Sequence, residues 1–105
     1  MGHTHCVYVP SVKVGGILYD VRMTDCLRKD DMLGCAYHRD CYIEIDKTIP
    51  HQQKAATFIH EVLHCIDQVY GGGKTEQLSE GKIDSLAEGL WQVLQDWGLD
   101  FNWNE

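Results

Sequence analysis

Residues 60 to 64 read His60-Glu61-Val62-Leu63-His64. On an α-helix, residues four apart lie about one turn apart on the same face. Two imidazoles placed in that way can share one Zn2+ at about 2.0–2.1 Å from each nitrogen. Glu61 follows the first histidine and projects about 100° further round the helix. From there its carboxylate can reach a water in the metal's open position without binding the metal itself. Zinc lowers the pKa of such a water, and Glu61 can take its proton and later pass it to a leaving amine. The chemistry so assembled is hydrolysis of a peptide bond.

The motif alone is short. With 6 histidines and six glutamates in 105 residues, shuffling would produce it in roughly two chains of every hundred. Its surroundings sharpen it. Thr57-Phe58-Ile59 and Cys65-Ile66 carry no charge, and Val62 and Leu63 are apolar. On a helical wheel both histidines fall just outside the apolar stripe, at the edge of a core.

A catalytic zinc needs a third protein ligand and one open position. The downstream candidates are Glu76, Glu80, Asp84 and Glu88. Glu80 is favoured because it begins the next helix directly after the plausible N-cap Ser79 and lies at the border of that helix's apolar stripe. Asp84, one turn on, could accept a hydrogen bond from the free ring nitrogen of a zinc-bound histidine. The rival assignment makes Asp84 the ligand.

The elements that must carry these residues are legible from periodicity. Val12 and Val14, then Ile17, Tyr19, Val21 and Met23, alternate across a Gly15-Gly16 turn and predict a strand pair. Met32–Tyr37 and Cys41–Ile45 predict a second pair around the turn His38-Arg39-Asp40. Pro50 opens a helix whose stripe is Ile59, Val62, Leu63, Ile66, Val69 and Tyr70, and Gly71-Gly72-Gly73 stops it. The second helix carries Ile83, Leu86, Ala87, Leu90, Val93, Leu94 and Trp97. Phe101 and Trp103 in the tail are placed to cover an open edge of the core. The expectation is one α+β domain over 1–105, a small antiparallel sheet followed by two helices.

His60-Glu61-x-x-His64 followed by Glu80-x-x-x-Asp84 resembles the gluzincin arrangement of zinc metallopeptidases. From about Val12 to Trp97 the chain is also similar to short metallopeptidases of phages and prophages, loosely grouped with the ImmA/IrrE type. That resemblance implies a minimal zincin-like domain in which His60, His64 and Glu80 hold Zn2+, Glu61 is the catalytic base, and Asp84 supports a histidine. It also implies a protein or peptide substrate and a bacterial or phage-infected host cell. Two departures bear on the third ligand. The gap from His64 to Glu80 is shorter than in large gluzincins, and Lys82-Ile83-Asp84 stands where a Glu-Ala-Asn type signature is expected.

Composition narrows the partners. A formal charge of −7, from 9 basic and 16 acidic residues, argues against nucleic-acid phosphates or an anionic membrane. No apolar run approaches the roughly 18 residues of a membrane span, and the first residues do not read as a secretory signal. The odd cysteine count, 5, suggests free thiols in a reducing cytoplasm. Cys35-x-x-His38-x-x-Cys41, with His3, His5 and Cys6, offers a less favoured second zinc site. Trp91 lies on the side of Glu80 and Asp84, Tyr70 and Tyr42 are candidate oxyanion donors, and Cys41–Ile45 is a candidate edge for an extended substrate. The competing function is a non-catalytic, zinc-stabilised protein-binding module. Against it stands Glu61, which a purely structural site does not require.

Overall fold

A computed structural model describes residues 4–27, 31–71 and 78–103. Six strands and two helices follow in the order β1 (His5–Val9), β2 (Ser11–Val14), β3 (Ile17–Thr24), β4 (Gly34–Tyr37), β5 (Tyr42–Asp46), α1 (His51–Tyr70), α2 (Glu80–Asp96) and β6 (Leu99–Trp103). The architecture is α+β, with a small sheet followed by two helices.

β2 and β3 form the expected hairpin, with Val14 opposite Ile17. Gly15 and Gly16 have φ of 57° and 87°, the left-handed pair that a two-residue turn of matching twist requires. The sheet order is β2-β3-β5-β4. The chain leaves β3, skips one position to lay down β4 at the edge, and turns back through residues 38–41 to insert β5 between them. β4 and β5 are therefore antiparallel, while β3 and β5 are parallel. The sheet is mixed, where alternation alone had suggested antiparallel pairing throughout. Cys41, expected to open the last strand, instead sits in the turn with φ 58°.

α1 crosses the sheet. Its buried face carries Ala55, Phe58, Ile59 and Cys65, which pack with Val14, Val21, Ile43 and Ile45. Ile43 and Ile45 are fully buried, and each such side chain contributes about 1.5–3 kcal/mol of transfer free energy. Pro50 precedes the first helical residue, and the Lys54 N–H bonds to its carbonyl at 2.9 Å. The helix ends at Tyr70, where the Gly71 N–H donates to the Asp67 carbonyl at 2.8 Å. Gly72 and Gly73 lie outside the described residues.

α2 starts where its cap predicts: the Ser79 Oγ accepts the Lys82 N–H at 3.2 Å. Its buried residues are Ile83, Ala87 and Trp91. Leu86, Leu90 and Trp97 from the expected stripe are exposed. One flank of the stripe packs on α1 and β6 and the other has no described neighbour to cover it.

The tail is a strand. β6 pairs in parallel with β1, His5 opposite Leu99 through Val9 opposite Trp103. Its aromatics fasten it between the helices. Phe101 stacks on Trp91 at 5.4 Å and meets Phe58 edge-on at 5.2 Å. The Trp103 indole N–H donates to His51 Nδ1 at 3.1 Å, which leaves His51 Nε2–H to donate to Asp100 at 2.7 Å. Among the described residues no helix is long and apolar enough to cross a membrane.

Candidate metal centre

His60 and His64 leave α1 at the edge of the core, with side chains 15% and 28% exposed. Their Nε2 atoms are 3.1 Å apart. Glu80, first residue of α2, brings its Oε1 to 2.5 Å from His64 Nε2 and 3.4 Å from His60 Nε2. Asp84, one turn further, stands 2.8 Å from His60 Nδ1. A carboxylate accepts, so Nδ1 carries the proton and His60 Nε2 presents a lone pair to the other two atoms. Three atoms rich in lone pairs thus face one another across a triangle. Such a set holds together only with a hydrogen or a cation between the lone pairs: the Nε2–H of His64 donating to Glu80, or a metal ion. Nitrogen and carboxylate donors of this kind suit zinc. Among the described residues this is the one group of three whose donor atoms converge closely enough to hold an ion. Glu76 lies outside the described residues.

Two features set Glu80 in place, and only one was readable in advance. The Ser79 cap fixes where α2 begins. Asp67, three residues after His64, accepts the Leu78 N–H on Oδ2 at 2.9 Å and so draws the approach to α2 back against α1. Nothing in a single aspartate on a helix announces that role.

Glu61 is not in the triangle. It is 6% exposed, lies under the start of β4, and accepts the backbone N–H of Ala36. Burial pushes its carboxyl above the ordinary glutamate range, the charges of His60 and His64 pull it back, and the Glu80 carboxylate adds to the rise. A buried carboxylate with one backbone donor beside two imidazoles can accept a proton from a group that reaches it. Gly34 makes this packing possible. A Cβ there would lie 2.5 Å from the Thr57 methyl and 3.3 Å from Glu61 Cγ, so only glycine lets β4 approach α1 this closely.

A cleft of about 530 Å3 opens beside the triangle. α1 forms its floor with Ala56, Thr57, His60 and Glu61, α2 forms one wall with Glu80, Asp84, Ala87 and Glu88, and residues 32–34 form the other. β5 cannot offer an edge to an extended chain, because β3 and β4 take both its sides. β4 is an edge strand, as is β2, and the first residue of β4 lines the cleft. Tyr42 stacks on Tyr37 at 4.5 Å and carries Arg22 over its ring at 3.9 Å. Tyr70 is exposed beside Gly15. Neither tyrosine lines the cleft. Trp91 is buried against Phe101 and donates to the Gln52 side-chain oxygen at 2.9 Å, away from the triangle.

The cysteines carry no bridge among themselves. The His38 Nδ1 is bonded to the Tyr19 hydroxyl at 3.1 Å, Cys41 donates to the His38 carbonyl, and Cys35 to the Ala36 carbonyl. Cys35, His38 and Cys41 do not bring their donor atoms together closely enough to hold an ion, and His3 lies outside the described residues. Burial pushes the Cys65 thiol up to about 12, which marks a core residue and not a nucleophile. The chain matches no known protein-family model, and no curated protein or solved structure is significantly similar to it.

Proposed function

We propose that this chain is a zinc-dependent peptidase of zincin-like build. The observation that carries the reading is the division of labour around one point. His60, His64 and Glu80 converge there, while Glu61 is buried alongside and does not join them. A structural zinc site would use a fourth protein ligand and would have no need of a buried carboxylate with a raised pKa. Zinc, when bound, supplies a Lewis acid that makes water more acidic and polarises the scissile carbonyl. Glu61 then acts on the proton: it accepts one from the attacking water and returns it to the leaving nitrogen. Asp84 holds His60 in the tautomer that ligation requires. An extended substrate lies along β4, adding its backbone to the open edge.

The test is to compare zinc-loaded wild type with Glu61→Gln on an unfolded polypeptide, following products by mass spectrometry. Glu61→Gln should keep its zinc and its thermal stability and lose on the order of a hundredfold or more of the rate. Zinc lost from that variant would make Glu61 a ligand. An unchanged rate would place the activity elsewhere. A zinc-loaded wild type that cleaves nothing favours the non-catalytic, zinc-stabilised module.

A further inference from the structure

The cleft continues past the metal-binding triangle toward the N-terminal end of α1. It adjoins a second hollow of about 290 Å3, and the two share Gln53, Ala56 and Glu88. Three small residues, Ala56, Thr57 and Ala87, create the width between the helices. At the junction stands Glu88. Helical rise puts it about 6 Å from Asp84 and about 12 Å from Glu80 along α2. The three carboxylates face one cleft but are not equivalent. Glu80 points at His64 and His60, and Asp84 is spent on His60. The Glu88 side chain is exposed at the cleft and makes no hydrogen bond or ion pair with any described residue. No lysine or arginine lines either hollow among the described residues.

From this arrangement we infer that the hollow is the side-chain pocket of the substrate residue next to the scissile bond, and that it selects lysine or arginine through Glu88. This rests on the peptidase reading and names its substrate class. A long aliphatic stem fits the trough over Ala56, Thr57 and Ala87, where a short side chain would leave the space to water. The stem carries its charge to the carboxylate that no described group of the protein neutralises. An acidic residue would meet Glu88 and Asp84 together and be repelled. Glu88 is a specificity residue here and takes no part in the chemistry.

Binding tests this without requiring turnover. Short peptides bearing a hydroxamate, which grips zinc directly, carry lysine, norleucine or glutamate beside it. Two series put the variable residue on either side of the hydroxamate. Calorimetry on the zinc-loaded chain should show lysine bound roughly three- to fivefold more tightly than norleucine in one series, with glutamate weakest. The advantage should shrink in about 0.5 M salt. Glu88→Gln should bring lysine and norleucine within about twofold while leaving zinc content unchanged, and Glu88→Lys should reverse the order. Equal affinity for lysine and norleucine in both series overturns the inference alone. So does a lysine preference that survives Glu88→Gln. If no hydroxamate binds the zinc-loaded chain, the open metal position itself is wrong, and the peptidase reading falls with it.

Discussion

Asp84 accepts the Nδ1 proton of His60 at 2.8 Å, and so decides which nitrogen of His60 faces His64 and Glu80. Without that bond the ring could take the other tautomer and present a proton where a lone pair is needed. The same carboxylate therefore sets direction without standing in the triangle.

This separation of roles predicts an order of losses. His60→Ala and His64→Ala should each abolish zinc binding at micromolar metal. Glu80→Gln should cost more affinity than Asp84→Asn, whose loss should fall in the range of roughly 10–100-fold typical of a group that orients a ligand. Competition against a chromogenic chelator gives the four constants. Asp84→Asn losing its zinc while Glu80→Gln keeps it would exchange the two assignments.

Gly34 predicts a steric effect remote from the triangle. Gly34→Ala puts a methyl carbon 2.5 Å from the Thr57 methyl. Relief by moving β4 should cost about 1–3 kcal/mol, the usual scale of overpacking. Thr57→Ser removes the clashing methyl and should restore part of the loss. The pair is measured by urea unfolding as a double-mutant cycle. Additive losses would show that Gly34 matters through its backbone and not through this contact.

Asp100 predicts a pH dependence. Partial burial works to raise its carboxyl, but the bond from His51 and the N–H of Phe101 outweigh it and hold the pKa below the ordinary aspartate value of 3.8. A carboxyl depressed in the folded state stabilises above its unfolded pKa and loses that contribution as pH falls through the folded one. Asp100→Asn should thus be less stable than wild type at pH 6, by about 1 kcal/mol given its exposure. The gap should close below about pH 3.8. A constant gap from pH 6 to pH 2.5, followed by thermal melts, would mean that the charge of Asp100 contributes nothing.

The residues of the triangle were readable because helices obey a short-range rule. Spacing puts His60 beside His64, and a cap residue locates the start of α2 and with it Glu80. Where pairing is between distant segments the sequence is silent. The sequence places Phe101 and Trp103 over an open edge of the core, but not on a strand that joins β1, nor does it show that β3 and β5 run parallel. Periodicity likewise finds the apolar positions of α2 but not how wide a face its neighbours cover, and Leu86 and Leu90 fall outside that width. Gly34, Asp67 and Gln52 act through contacts with elements far along the chain, and no local pattern marks them.

The hydrogen bond from Leu78 to Asp67 alters what a cation at the triangle must do. Joining His64 to Glu80 closes a segment of 16 residues, and closing a loop of about that size costs roughly 3 kcal/mol of chain entropy. Asp67 already gathers the inner 11 residues of that segment. That hydrogen bond already holds the two ends near each other, so a cation at the triangle would have less of the loop to order and would bind more tightly. Loss of the Asp67 side chain would hand the closing of the loop to the metal. In an Asp67→Ala chain, zinc would bind more weakly, and a chelator would therefore lower the melting temperature less than it does in the wild type.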